Sequence, residues 1–186
     1  MEKNEDNYIL IQKSKYQNKN WKKNQNWYYN GKHNECEIYQ IKIIEQIIKQ
    51  KCNKTNDRIN TNNLEILIKI NINRCKDGFE WTENFDGIVN YINKCYYFNL
   101  KFVCDKGGSQ TRTLREVYYF IKYQLENLLK FKSNNIFFIN ILDGDTCYNC
   151  MDKFKYLSSK KEYNSIIKYI FIGDMFKFQI FWKNIK

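Results

Sequence analysis

The run Ile136-Phe-Phe-Ile-Asn-Ile-Leu142 is apolar at every position but one. A strand with one wet face alternates apolar and polar residues, whereas apolar residues on both parities mean that both faces are covered. A chain containing this segment has to build a sheet with a packing layer on each side, and the segment belongs near its centre.

The flanking segments supply those layers. Glu35 to Lys51 carries Ile38, Ile41, Ile44, Ile47 and Ile48, and the spacing predicts a helix of about four turns. A second helix is expected from Thr111 to Lys130, with the stripe Leu114, Val117, Tyr118, Ile121, Leu125 and Leu128. Leu64, Ile66, Ile68, Ile70 and Ile72 alternate strictly and predict a strand with one buried face. Further strands are expected at Ile88-Val89, Tyr96–Cys104 and Ile166–Ile172, with a short helix near Tyr148–Leu157 and a closing helix at Asp174–Trp182. Gly107-Gly108-Ser109 breaks one strand, and Asp143-Gly144-Asp145 ends another. A run of strands followed by strand–helix–strand predicts an α/β or α+β fold, a mixed β-sheet flanked by helices.

The 186 residues suit one domain over 35–186 preceded by an arm over 1–34. With 43% hydrophobic and 17% aromatic residues there is ample material for a core, which argues against wholesale disorder. No apolar run approaches the roughly 20 residues of a membrane span, so no membrane partner is expected. The first residues, MEKNEDNYILIQK, lack the apolar stretch of a secretory signal. The seven cysteines, at 36, 52, 75, 95, 104, 147 and 150, then suggest reduced thiols in a cytoplasmic, intracellular protein. Only Cys147-Tyr-Asn-Cys150 has metal-ligand spacing. With no second such pair and only His33 as a histidine, small core or surface residues are the simpler reading.

The net charge of +11 favours a polyanionic partner. Part of it reflects coding bias, since the chain has 26 Asn, 25 Ile, no Ala and no Pro, as AT-rich coding produces. Lys13 to Lys32 holds six lysines and no acid, interleaved with Tyr16, Trp21, Trp27, Tyr28 and Tyr29. Such a stretch can follow a phosphate backbone and stack on bases, or serve only as a lysine-rich lead-in.

The chemistry concentrates between Asp86 and Lys101. Asn99 and Lys101 share one face of their strand, opposite Phe98, Leu100 and Phe102. A lysine inside an apolar strand is costly unless it snorkels, pairs or works. If the strands pair as a hairpin, Asp86 joins the same polar face. An acid, an amide oxygen and a lysine there suit Mg²⁺-assisted phosphodiester hydrolysis, with Lys101 orienting water and stabilising charge on the phosphate. A structural Asp86–Lys101 salt bridge is the alternative. Lys106-Gly-Gly-Ser-Gln-Thr-Arg112 suits a DNA contact: Gly107 and Gly108 permit close approach, while Ser109, Gln110, Thr111 and Arg112 offer donors. The same segment also suits a turn in which Ser109 or Thr111 caps the helix. Asp143 and Asp145 can bind metal or form a turn with Gly144.

Phe85-Asp86, Asn99-Leu100-Lys101, the Gly-Gly break, a long helix and a further strand resemble the PD-(D/E)XK nuclease core. More particularly, DGFEWTENFDG, NLKFVCDKGGSQTRTLREVYYFI and FFINILDGD resemble a type II restriction endonuclease, roughly from Lys76 to Asp145, with FIGDMFKFQIFW matching more loosely. The resemblance implies a Mg²⁺-dependent DNA endonuclease in which Asp86, Asn99 and the Leu100 carbonyl hold the metal and Lys101 serves the attacking water. It implies double-stranded DNA as partner, and a homodimer or two sequential binding events to cut both strands. Phe85 replaces the motif's proline and Asn99 its second acid. The compensating carboxylate is then sought in Glu83 or in Glu116, the family sometimes moving that acid to the following helix. A repair or junction nuclease on the same core, and a decayed nucleic-acid-binding module with Asn99 as its scar, are the competing expectations.

Overall fold

The structure is a computed structural model that describes residues 11–29, 34–68 and 78–185. Ser14–Tyr16 forms a 3₁₀ turn, followed by α1 (Lys19–Lys23) and α2 (Glu35–Ile48). The short strands β1 (Arg58–Ile59) and β2 (Ile66–Leu67) pair antiparallel with each other. Then come β3 (Gly87–Tyr91), β4 (Lys94–Phe102), α3 (Gly108–Phe131), β5 (Ile136–Asp143), α4 (Asp145–Asn149), α5 (Met151–Ser158), β6 (Ile170–Gly173) and α6 (Met175–Ile185). The main sheet is four-stranded and mixed, ordered β3-β4-β5-β6. Its first pair is antiparallel and the other two are parallel.

The apolar run Ile136–Leu142 does occupy an interior strand with both faces covered. Phe137, Ile139 and Ile141 pack with Ile43, Ile44 and Ile48 of α2 and with Phe178 and Trp182 of α6. Phe138 and Leu142 pack on the other face with Val117, Phe120, Ile121, Leu125 and Leu128 of α3 and with Phe154 and Leu157 of α5. The α3 stripe is therefore the expected one. That of α2 is rotated: Gln40, Ile43, Ile44 and Ile48 are buried, while Ile38 is 45% exposed.

Two strand expectations change. Leu64 does not start a strand, because it adopts the left-handed region (φ 62°) and its N–H donates to the Asn60 carbonyl at 2.9 Å in a turn. Within the described residues only Ile66 and Leu67 of that alternating segment pair, and 69–77 lie outside them. The last strand is shorter than expected, since Ile167–Tyr169 forms a 3₁₀ turn before β6. The expected helix near Tyr148–Leu157 is divided between α4 and α5.

Residues ahead of α2 seal the carboxyl ends of β5 and β6. Ser14 Oγ donates to Asp143 Oδ1 (3.1 Å), and the Ser14 and Asp145 amides donate to Asp174 Oδ2 (3.3 Å) and the Gln17 carbonyl (3.0 Å). No helix among the described residues is long and apolar enough to cross a membrane.

Candidate active site

The chain enters β3 through Phe85, whose buried ring lies 4.7 Å from Tyr97, 4.8 Å from Phe120 and 5.4 Å from Phe138. Burial of such a ring is worth about 2–3 kcal/mol, enough to hold the residue that follows it. Where the motif's proline would only shape the turn, Phe85 anchors it. The Asp86 amide donates to the Phe98 carbonyl (2.8 Å), and the Leu100 amide donates back to Asp86 Oδ2 (2.6 Å). At Gly87 a Cβ would meet Cys52 Sγ at 2.5 Å, so glycine permits this approach of β3 to the segment before it.

Lys101 Nζ lies 2.8 Å from Glu83 Oε2. Its ion pair is thus with Glu83 rather than with Asp86, the partner expected from spacing. Asp86 and Lys101 line one cleft of about 370 Å³, together with Glu37 and Gln40 of α2 and with Ser109 and Gln110. Burial pushes the Asp86 carboxyl up to about 6, opposed by the Lys101 charge and the Leu100 N–H, and reinforced by the charges of Glu37 and Glu83. Burial alone would lower Lys101, but Glu83 and Asp86 outweigh it and hold the ammonium above its ordinary range.

The remaining candidates divide. Asn99 shares the Lys101 face but is only 1% exposed, and its Nδ2 donates to Asn140 Oδ1 (2.9 Å). Asn140 and Gln124 exchange two further bonds of 2.7 and 3.1 Å, so the amide is drawn beneath α3 and does not line the cleft. Glu116 lies outside the cleft lining, bonded to Arg112 at 3.2 Å, with the two side chains 51% and 82% exposed. Lys106, Gly107 and Thr111 line a smaller cavity of about 210 Å³, and Gln110 lines both. Neither Ser109 nor Thr111 caps α3. The cap position is Gly107 without a side-chain bond, and the Thr111 and Thr113 hydroxyls donate to carbonyls four residues back, at 3.1 Å each.

Asp143 ends β5 just before Gly144, whose φ of 92° makes the bend expected there on the way into α4. The Asp143 carboxylate is fully enclosed and accepts from Gln40 Nε2 (2.7 Å), Met175 N (2.9 Å) and Ser14 Oγ. Asp145 opens α4. Cys147 and Cys150 are free thiols, as are the other described cysteines, and burial pushes Cys147 up and Cys104 to about 12.

Glu37 and Gln40 were not singled out from the sequence. Their signal is faint but present, since Glu37, Gln40, Ile44 and Ile48 fall at helical spacing on one face of α2. Gln40 Nε2 also donates to the Lys101 carbonyl (3.2 Å), tying α2 to the site strand.

Among the described residues no three His, Cys, Asp or Glu side chains are grouped to hold a metal ion. Mg²⁺ asks less than that, because it keeps several waters and takes one or two carboxylates together with substrate phosphate. Asp86 and Glu37, both in the cleft lining, are carboxylates of the kind this requires, whereas the Asn99 Oδ1, without a hydrogen-bond partner among the described residues, lies outside that lining. Set against models of known protein families, against curated proteins and against solved structures, the chain matches none.

Proposed function

We propose that this chain is a Mg²⁺-dependent DNA endonuclease hydrolysing phosphodiester bonds, similar to type II restriction enzymes of the PD-(D/E)XK superfamily. The observation that carries the reading is the convergence of Asp86, Glu37 and Lys101 on one cleft at the end of the β3–β4 pair. Asp86 and Glu37 are the residues to hold the metal, which when bound supplies charge neutralisation at the scissile phosphate and acidifies water. Lys101 stays an ammonium at neutral pH, so it donates to the attacking water and to the phosphoryl oxygens rather than accepting a proton. Glu83 fixes the position of Nζ. Ser109 and Gln110 sit where they can hold the strand beside the cleft. Cutting both strands calls for two chains or two visits.

Incubation with phage DNA and Mg²⁺ should give discrete fragments, and Lys101→Ala should remove them. Residual cutting by that variant would misplace the site. The withdrawal of Asn99 into the amide cluster favours a second reading, a nucleic-acid-binding module that no longer cuts. Binding without cleavage, with Mn²⁺ as well as Mg²⁺, would establish it. Preference for branched substrates would favour a junction nuclease.

A further inference from the structure

The cleft lining includes a second lysine, Lys22, contributed by α1. Residues on either side of it fix where α1 stands. Asn18 Oδ1 accepts the Trp21 amide at 2.8 Å and caps the helix, and Lys19 Nζ lies 3.0 Å from Asp105 Oδ1. Trp21 stacks on Phe102 of β4, with centroids 6.1 Å apart and planes within 5°. Just before the helix, the Gln17 carbonyl accepts from Cys104 Sγ at 3.0 Å. These contacts tie α1 to the segment that leaves β4, and the thiols there feel the lysine. Burial pushes Cys36 and Cys104 up, the latter to about 12, and the Lys22 charge opposes the rise in both.

Lys22 is half-buried, and among the described residues it forms no ion pair. Its neighbours are already neutralised, Lys101 by Glu83 and Lys19 by Asp105. Lys22 has instead the Tyr28 ring, 5.3 Å from Nζ, which supports its stem. A lysine on an open surface needs no partner, because water solvates it. Lys22 stands in a concave wall with Glu37, Asp86 and Asp105, and pairs with none of them. Those carboxylates repel a polyanion. Metal held by Asp86 and Glu37 would offset part of that repulsion, and the uncommitted charge of Lys22 is placed to offset more.

We propose that Lys22 is a phosphate-binding residue, holding a backbone phosphate of the DNA strand in the cleft that does not itself react. The proposal rests on the nuclease reading for its choice of ligand and deepens it, because it makes the arm before α2 part of the substrate site. Lys101, tied to Glu83 and acting on Asp86, belongs with the reacting phosphate. Lys22, acting on Cys36 and Cys104, takes a neighbouring one. An ammonium on a flexible stem serves as a point charge, so this contact positions the strand and reads no sequence.

The test measures DNA binding by anisotropy, without metal, over a series of NaCl concentrations. Lys22→Gln should make the slope of log K against log salt shallower by about 1, since one fewer phosphate is neutralised. It should also weaken binding about tenfold at low salt, equally for unrelated sequences. Lys22→Met, which keeps an unbranched stem on Tyr28, should match it, and Lys22→Arg should keep the wild-type slope. Lys130→Gln removes the same charge at the far end of α3 and should leave the slope unchanged. A thermal melt confirms that each variant is folded. An unchanged slope in folded Lys22→Gln and Lys22→Met, or an equal change in Lys130→Gln, overturns the proposal. In Mg²⁺, Lys22→Gln should raise KM far more than it lowers kcat; the reverse would put Lys22 at the reacting phosphate and overturn it as well. The nuclease reading fails separately: a shallower slope with no cleavage by wild type in Mg²⁺ or Mn²⁺ keeps the phosphate contact and discards the enzyme.

Discussion

Burial pushes the Asp86 carboxyl up to about 6, against the Lys101 ammonium and the Leu100 N–H that favour its charged form. A hard cation binds the carboxylate and must displace the proton, so metal-supported cleavage should rise as pH increases through about 6. Below that value the rate at subsaturating Mg²⁺ should fall about tenfold per pH unit. A rate profile at constant ionic strength checks this, and a flat profile from about pH 5 to 8 would remove Asp86 from the metal site. Asn99 and Lys101 were legible as one face because strand periodicity puts alternate residues together, and Asp86 joined them through the expected hairpin, which β3 and β4 form. Asn99 was legible as belonging to that face, but its loss to the site was not. That depends on Asn140 standing opposite it in register and on Gln124 reaching down from α3.

At the level of elements, β3 and β4 join through Ile92 and Asn93, both with positive φ (47° and 60°). This is the backbone a two-residue hairpin favours, but a β-branched residue fits it poorly. Ile92 is 70% exposed and gives little packing in return. Ile92→Asn should therefore stabilise the protein by about 1 kcal/mol, read as a higher denaturant midpoint with an unchanged slope. A loss of stability would show that Ile92 packs in solution. The α2 stripe illustrates a limit of periodicity: the isoleucines spread over roughly 220° of that helix, so spacing alone could not choose its buried face. The sheet chose it, through Gln40 and Ile44.

Across the whole molecule, one enclosed carboxylate joins the residues before α2, the site helix and α6. Asp143 accepts from Ser14, Gln40 and Met175 at once. Asp143→Ala leaves those donors buried and should cost about 3 kcal/mol in urea unfolding. Burial raises the Asp143 carboxyl to about 6, with Asp174 adding to the shift and the Met175, Gln40 and Ser14 bonds opposing it. A raised acid contributes stability that is complete below the unfolded value near 4 and is lost as pH rises through about 6. The stability advantage of wild type over Asp143→Asn should therefore shrink across that window; an advantage that grows with pH would mean that the carboxylate is the form the fold prefers. Strand and helix periods, the two-sided apolar run and the Asp86–Lys101 spacing are local properties, and local chain geometry was enough to predict the layered mixed sheet. Which lysine partner forms and which acid joins the cleft from α2 depend on contacts between segments far apart in the chain. Only packing in three dimensions brings those segments together.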